Sequence, residues 1–204
     1  MATMLYLARH AEQELTANED PAVGISKLGQ DQARLLGKRL SGVKLDGIHH
    51  SPLARARETA YVVAQTMPGV PVRSSEMLRD RTPVPRPAEM GDYSEADLTW
   101  LAHVPAEECD PGGAEISSAI KHFSSLGDGQ HLLITHAFVI SWFVRDALGA
   151  PPRRWMGLNA FNTGLTVIRY RPDHPDQPVT LIGYNDVGHL PLELRGRTPV
   201  DLPV

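Results

Sequence analysis

Leu7-Ala8-Arg9-His10-Ala11-Glu12 closes the first apolar run of this 204-residue chain, and its reading decides the fold. The run from Met4 to Ala8 has the length and composition of a buried strand, and it ends abruptly in an arginine and a histidine. Guanidinium is a rigid fork for phosphate oxygens, and imidazole is a nucleophile or proton carrier near neutral pH. Neighbouring residues on a strand point to opposite faces, so both reach one ligand only if the strand stops there and the backbone turns. A solvated arginine beside a half-buried histidine is the plainer interpretation, and the rest of the chain decides between them.

Further along, apolar runs alternate with helical periodicity, the pattern of an α/β protein. Strands are expected at Met4–Ala8, Gly47–His50, Val70–Arg73, His131–Thr135, Thr163–Tyr170 and Val179–Tyr184. Helices are expected at Lys27–Leu40 behind a Ser26 N-cap, at Pro52–Gln65 behind Ser51, and at Glu95–Leu101, Glu115–Leu126 and Phe138–Leu148. Pro83, Pro85 and Pro87 make Arg79–Pro87 a stiff extended loop, Asp173–Pro178 a turn, and 195–204 a fraying tail. Asn159, Asn162 and Gly164 read as turn residues, His189 as a loop cap, and Trp100, Trp142 and Trp155 as core or interface anchors.

Three of these strands end in chemistry. The first ends at Arg9-His10. The second ends at His49-His50-Ser51 and turns into a helix carrying Arg55. The fourth, His131–Thr135, ends at His136 and also turns into a helix. Ligands gather beyond the carboxyl ends of strands in open α/β sheets, and helix N-termini aim free N–H groups at them. Two arginines, two histidines and two helix starts together describe a site for a dianion, with phosphate the obvious candidate.

Composition bounds the alternatives. The chain carries 22% charged and 42% apolar residues and a formal net charge of −4, ordinary values for one large globular domain over residues 1–204. No block of like charge points to nucleic acid, and no run approaches the ~20 apolar residues that cross a bilayer. The first residues lack the pattern of a signal peptide, and a lone Cys109 suits a reducing compartment, so a cytoplasmic protein is expected. Acids flank Cys109 and no arginine cradle follows it, which argues against a thiolate nucleophile. His49-His50 lacks a third ligand nearby in sequence, so neither metal nor cofactor is expected.

The motifs resemble those of the histidine phosphatase superfamily, the phosphoglycerate mutase-like proteins. Arg9-His10-Ala11-Glu12 is similar to its Arg-His-Gly-Glu signature. Ile25-Ser26-Lys27-Leu28-Gly29 with Gln32-Ala33 is similar to its Leu-Thr-x-x-Gly-x-x-Gln-Ala segment. Ser51-Pro52-Leu53-Ala54-Arg55-Ala56 with Thr59-Ala60 matches a third motif, and Thr135-His136-Ala137-Phe138-Val139-Ile140 the second-histidine motif. The resemblance implies a three-layer α/β/α fold with a mostly parallel central sheet. It implies a metal-independent phosphomonoester hydrolase in which His10 becomes a phosphohistidine, while Arg9, Arg55, His136 and Ala137 hold the phosphoryl group. His10 must then be neutral, and His136 is more useful protonated. Arg57 lies about 200° around the helix from Arg55, so both cannot face one pocket.

Two departures stand out. Ala11 and Ala137 replace the glycines that usually follow each histidine, which is tolerable only at negative φ. Leu78-Arg79-Asp80 stands where the family usually has Leu-Arg-Glu, making Asp80 the expected general acid, with Glu76, Glu89 and Asp92 in reserve. If Asp80 instead only pairs with Arg79 or Arg81 at the surface, the acid lies elsewhere. His10 and His136 are 126 positions apart, without the extra segment of true mutases. The Pro-rich loop after Leu78 and the stretch from Leu148 to Trp155 are similar to the mitochondrial serine/threonine phosphatase branch. A phosphatase is therefore expected, acting on a small phosphorylated metabolite or a phosphoprotein, with a homodimer left open. A mutase and a non-catalytic phosphate-binding module are the alternatives.

Overall fold

The computed structural model describes residues 2–15, 22–174, 176 and 178–195. A six-stranded sheet runs in the order β3-β2-β6-β1-β7-β8, formed by β1 (Thr3–Arg9), β2 (Gly47–His50), β3 (Val72–Ser74), β6 (Gly129–Thr135), β7 (Leu165–Tyr170) and β8 (Val179–Asp186). The four strands β3, β2, β6 and β1 are mutually parallel, and β7 and β8 add an antiparallel edge. Alternation along the strands explains the layering. Leu5, Leu7 and Leu133 point into one core, while Ala8, Leu132 and Ile134 point into the other. Helices α1 (Lys27–Leu40) and α2 (Ala54–Ala64) cover the second face, and α4 (Ala114–Ser124) and α5 (Ala137–Ala147) cover the first. The expected mostly parallel sheet between helical layers is what forms.

Local chemistry sets most boundaries. Ser26 caps α1, its hydroxyl accepting from the Gly29 N–H at 3.0 Å. Gly149 (φ 58°) ends α5 in the left-handed region that suits glycine. Ser51, expected as a helix cap, is not one. The helix α2 opens two residues later behind Leu53, without a side-chain cap; the Ser51 hydroxyl accepts only a long bond from the Leu53 N–H, 3.4 Å, and lies closer to His136.

The other correction concerns Arg79–Pro87. Residues Thr82–Val84 form strand β4, paired in parallel with β5 (Cys109–Pro111) in a second, two-stranded sheet. The Thr82 N–H donates to Glu108 O at 2.7 Å, and Val84 O accepts from the Gly112 N–H at 2.7 Å. Only alternate residues bond across one side of a strand, and Pro83 and Pro85 occupy the other alternation, where a missing N–H costs nothing. Helix α3 (Glu95–Leu101) is opened by a capping box from Ser94 and Asp97, and its Trp100 lines one hollow with Thr82 of β4. Pro175 and Gln177 of the expected turn, and 196–204 of the expected tail, lie outside the described residues. Of the three tryptophans, Trp142 and Trp155 are buried, and Trp100 is 46% exposed.

Candidate active site

Strand register brings the site together. His10 N–H donates to Thr135 O at 2.9 Å, and Ser51 N–H donates to Ile134 O at 3.0 Å. Each bond extends a parallel ladder one step past its strand, so His10, Ser51 and His136 converge above the end of β6. Asn162 and Thr163 close the site from β7. The Asn162 side-chain amide donates to His10 O at 2.8 Å, and the Thr163 N–H to Arg9 O at 2.9 Å. The short turn Glu76–Leu78 is tied to β6 by the Thr135 hydroxyl, which donates to Leu78 O at 2.8 Å and so sets Asp80 over His136.

These elements enclose a cavity of about 330 Å³, and all six sequence-predicted site residues line it: Arg9, His10, Arg55, Asp80, His136 and Ala137. Arg57 is exposed on the far side of α2, as the helical-face argument requires. Glu76 and Glu89 do not reach the cavity and pair instead with Arg79 and Arg86. Among the described residues the non-glycine positions with positive φ are Thr163 and Asn185, so Ala11 and Ala137 carry their methyl groups without backbone strain.

His10 is held in one protonation state and one tautomer. Its Nδ1 lies 2.8 Å from Ala11 O, and a carbonyl only accepts, so Nδ1 carries the hydrogen and Nε2 keeps its lone pair. Burial, reinforced by His136, Arg9 and Arg55, pushes the imidazolium well below its ordinary range. Arg9 is anchored by donating to Ala160 O at 2.9 Å. Among the described residues, the buried Nε atoms of Arg9 and Arg55 have no hydrogen-bond partner.

Asp80 is not a surface partner of its neighbours. Arg79 pairs with Glu76 and Arg81 with Glu115, whereas Asp80 Oδ2 lies 2.9 Å from an Arg55 nitrogen and 3.1 Å from His136 Nδ1. Burial pushes the Asp80 carboxyl up, but His136 and Arg55 outweigh it and hold the group well below the usual carboxylate range. For His136 burial prevails over the opposing pull of Asp80, so its imidazolium is disfavoured. The expectation of a protonated His136 is thus corrected: a fully buried ring beside two guanidiniums resists a further positive charge.

Two participants escaped the sequence reading. Ser51 Oγ lies 2.8 Å from His136 Nε2, which fixes that ring from the side opposite Asp80. Its position next to His50 at a strand end was the available signal, but serine before proline also spells a helix start. Asn162 fits a turn equally well, and only the fold reveals that it braces the His10 backbone.

A small buried cavity that presents one unprotonated histidine nitrogen among guanidiniums suits transfer of a phosphoryl group to that nitrogen, the chemistry of a histidine-dependent phosphatase. The comparisons agree. The model of the histidine phosphatase superfamily (branch 1) matches residues 5–180, and the chain belongs to that superfamily and is a phosphatase. Among curated proteins it is 30% identical over 202 residues to the mitochondrial serine/threonine-protein phosphatase PGAM5 of Xenopus tropicalis, spanning 95% of this chain and 68% of that protein. The human PGAM5 is 27% identical, spanning 92% and 63%. Among solved structures, the α-ribazole phosphatase of Shigella flexneri superposes with a TM-score of 0.68 at 20% identity, over 90% of this chain and 96% of that one. A phosphoserine phosphatase variant of Entamoeba histolytica in complex with phosphoserine gives 0.66 at 19%, over 92% and 99%. The expected cytoplasmic location is overturned, since these curated relatives are mitochondrial. Reduced cysteine usage does not distinguish the two compartments here. Among the described residues, no helix is long and apolar enough to cross a membrane.

Proposed function

We propose that this chain hydrolyses phosphoserine and phosphothreonine esters of a polypeptide, through a phosphohistidine on His10 and without a metal. The observation that carries the reading is the His10 tautomer, with Nδ1–H spent on Ala11 O and a neutral Nε2 left to attack. Similarity to the PGAM5 phosphatases supports the substrate class.

In the first step Nε2 forms a bond to phosphorus while the ester P–O bond breaks, and Arg9 and Arg55 neutralise the charge on the equatorial oxygens. Those guanidiniums meet the charge that a metal would otherwise balance. The departing alkoxide takes a proton from Asp80. In the second step water attacks the phosphohistidine, Asp80 takes the water's proton, and Nε2 leaves with its electron pair.

Asp80 must be protonated to serve, and in the resting site it is held ionised by Arg55 and His136. An arriving phosphate claims those same donors. Asp80 then loses the Arg55 cation and the His136 N–H as partners and gains a negative neighbour, and all of these raise its proton affinity. Substrate binding itself therefore loads the acid, with uptake of a proton. Calorimetry of vanadate binding in buffers of different ionisation enthalpy tests this: about one proton taken up is expected, and none would contradict it.

A further inference from the structure

A second hollow, of about 280 Å³, adjoins the catalytic cavity, and Glu108 and Phe138 line both. Its other walls are Thr82 of β4 and Trp100, His103, Val104 and Pro105, from α3 and the segment after it. Trp100 is its most exposed aromatic, yet it is not loose. Its ring stands edge-on to Phe138 (centroids 5.7 Å, 87°) and against Trp155 (6.4 Å), and Trp155 packs edge-on to Phe138 at 5.1 Å. Trp155 is 1% exposed and anchors the group in the core. His103 is pinned as well, its Nδ1 lying 2.7 Å from Thr99 O. An aromatic shelf already fixed in place binds an apolar group with little ordering cost.

The reach decides what sits there. The hollows share a wall, and Phe138 is two residues past His136, so a group on the shelf is tethered to the phosphate by a short span. One or two extended residues, ~3.5 Å each, cover it. Glu108, on the wall common to both hollows, puts a carboxylate beside the path, which disfavours an acidic flank.

We propose that this shelf binds an apolar side chain flanking the phosphorylated serine or threonine of a polypeptide substrate, with Trp100 setting that preference. The proposal rests on the function proposed above. The test compares two phosphoserine peptides of equal charge, one with leucine and one with serine at the flanking positions, on the wild type, Trp100→Ala and Trp100→Phe. Free phosphoserine, too short for the shelf, reports whether each variant is folded and competent. The leucine peptide should be preferred by roughly tenfold in kcat/KM, mainly through KM. Trp100→Ala should erase that preference, and Trp100→Phe should keep most of it. Equal losses for both peptides, or a preference untouched by Trp100→Ala, would overturn the proposal. Turnover of aromatic small-molecule esters with none of either peptide would overturn the polypeptide occupant while leaving the phosphohistidine chemistry standing. Failure of every substrate to give a His10-dependent phosphoenzyme would instead sink the underlying function, and this proposal with it.

Discussion

Replacing Asp80 with asparagine separates two effects that the wild-type carboxylate combines. Asp80 lies 2.9 and 3.1 Å from the Arg55 and His136 nitrogens that the phosphate must take, so its charge is within about 4 Å of an incoming oxygen. At an effective dielectric of about 20, two unit charges at that distance repel by about 4 kcal/mol. The alternative is protonation, which at neutral pH costs about 4 kcal/mol even for an ordinary aspartate. Asparagine avoids both, and after allowing for partial relaxation of the carboxylate, phosphate and vanadate should inhibit Asp80→Asn at concentrations roughly tenfold lower or more. Turnover should move the opposite way and depend on the leaving group. Nitrophenolate departs unaided, so nitrophenyl phosphate should be nearly spared. Alkoxide does not, so alkyl phosphates should lose ~10²–10⁴-fold. Steady-state kinetics on both ester classes, with phosphate as inhibitor, read all three quantities. Equal losses on both esters, or weaker phosphate binding, would refute the reasoning. A leaving-group split in Glu76→Gln rather than Asp80→Asn would move the acid to a residue that the fold holds outside the cavity.

Two more outcomes follow from the geometry. Arg55→Ala should cost ~3 kcal/mol of transition-state stabilisation, about a hundredfold in kcat/KM, and Arg57→Ala should be mild because it faces solvent; equal losses would contradict the helical-face argument. Burial lowers His49 and His189 to about 4, so the unfolded chain takes up protons first and stability should fall as pH drops from about 6.5 toward 4. A melting temperature that stays level across that window, or is unmoved by His189→Asn, would contradict this assignment.

The parallel core and its three chemical strand ends were legible because each carries its signal locally. Apolar runs stop at Arg9-His10, His50-Ser51 and Thr135-His136, and ladder bonds one residue past β1 and β2 then bring these ends together over the end of β6. The fate of Ser51 was not legible, because the same hydroxyl can cap a helix or hold a histidine. That choice depends on His136, 85 positions away. Strand β4 was hidden for a different reason. Prolines at alternate positions suggest a loop until a partner strand uses only the other alternation. The double pairing of Asp80 with Arg55 and His136 depends on how the Glu76–Leu78 turn docks on β6, which no local pattern encodes.

The central claim is that His10 carries the phosphoryl group. Rapid-quench trapping with a ³²P-labelled substrate tests it most directly, run on the wild type and His10→Ala in excess chelator. The wild type should give an acid-labile, base-stable phosphoenzyme that forms and decays at rates compatible with turnover, and His10→Ala should give none and lose essentially all activity. A phosphoenzyme that persists without His10, or a variant that keeps more than a small fraction of turnover, would contradict the account.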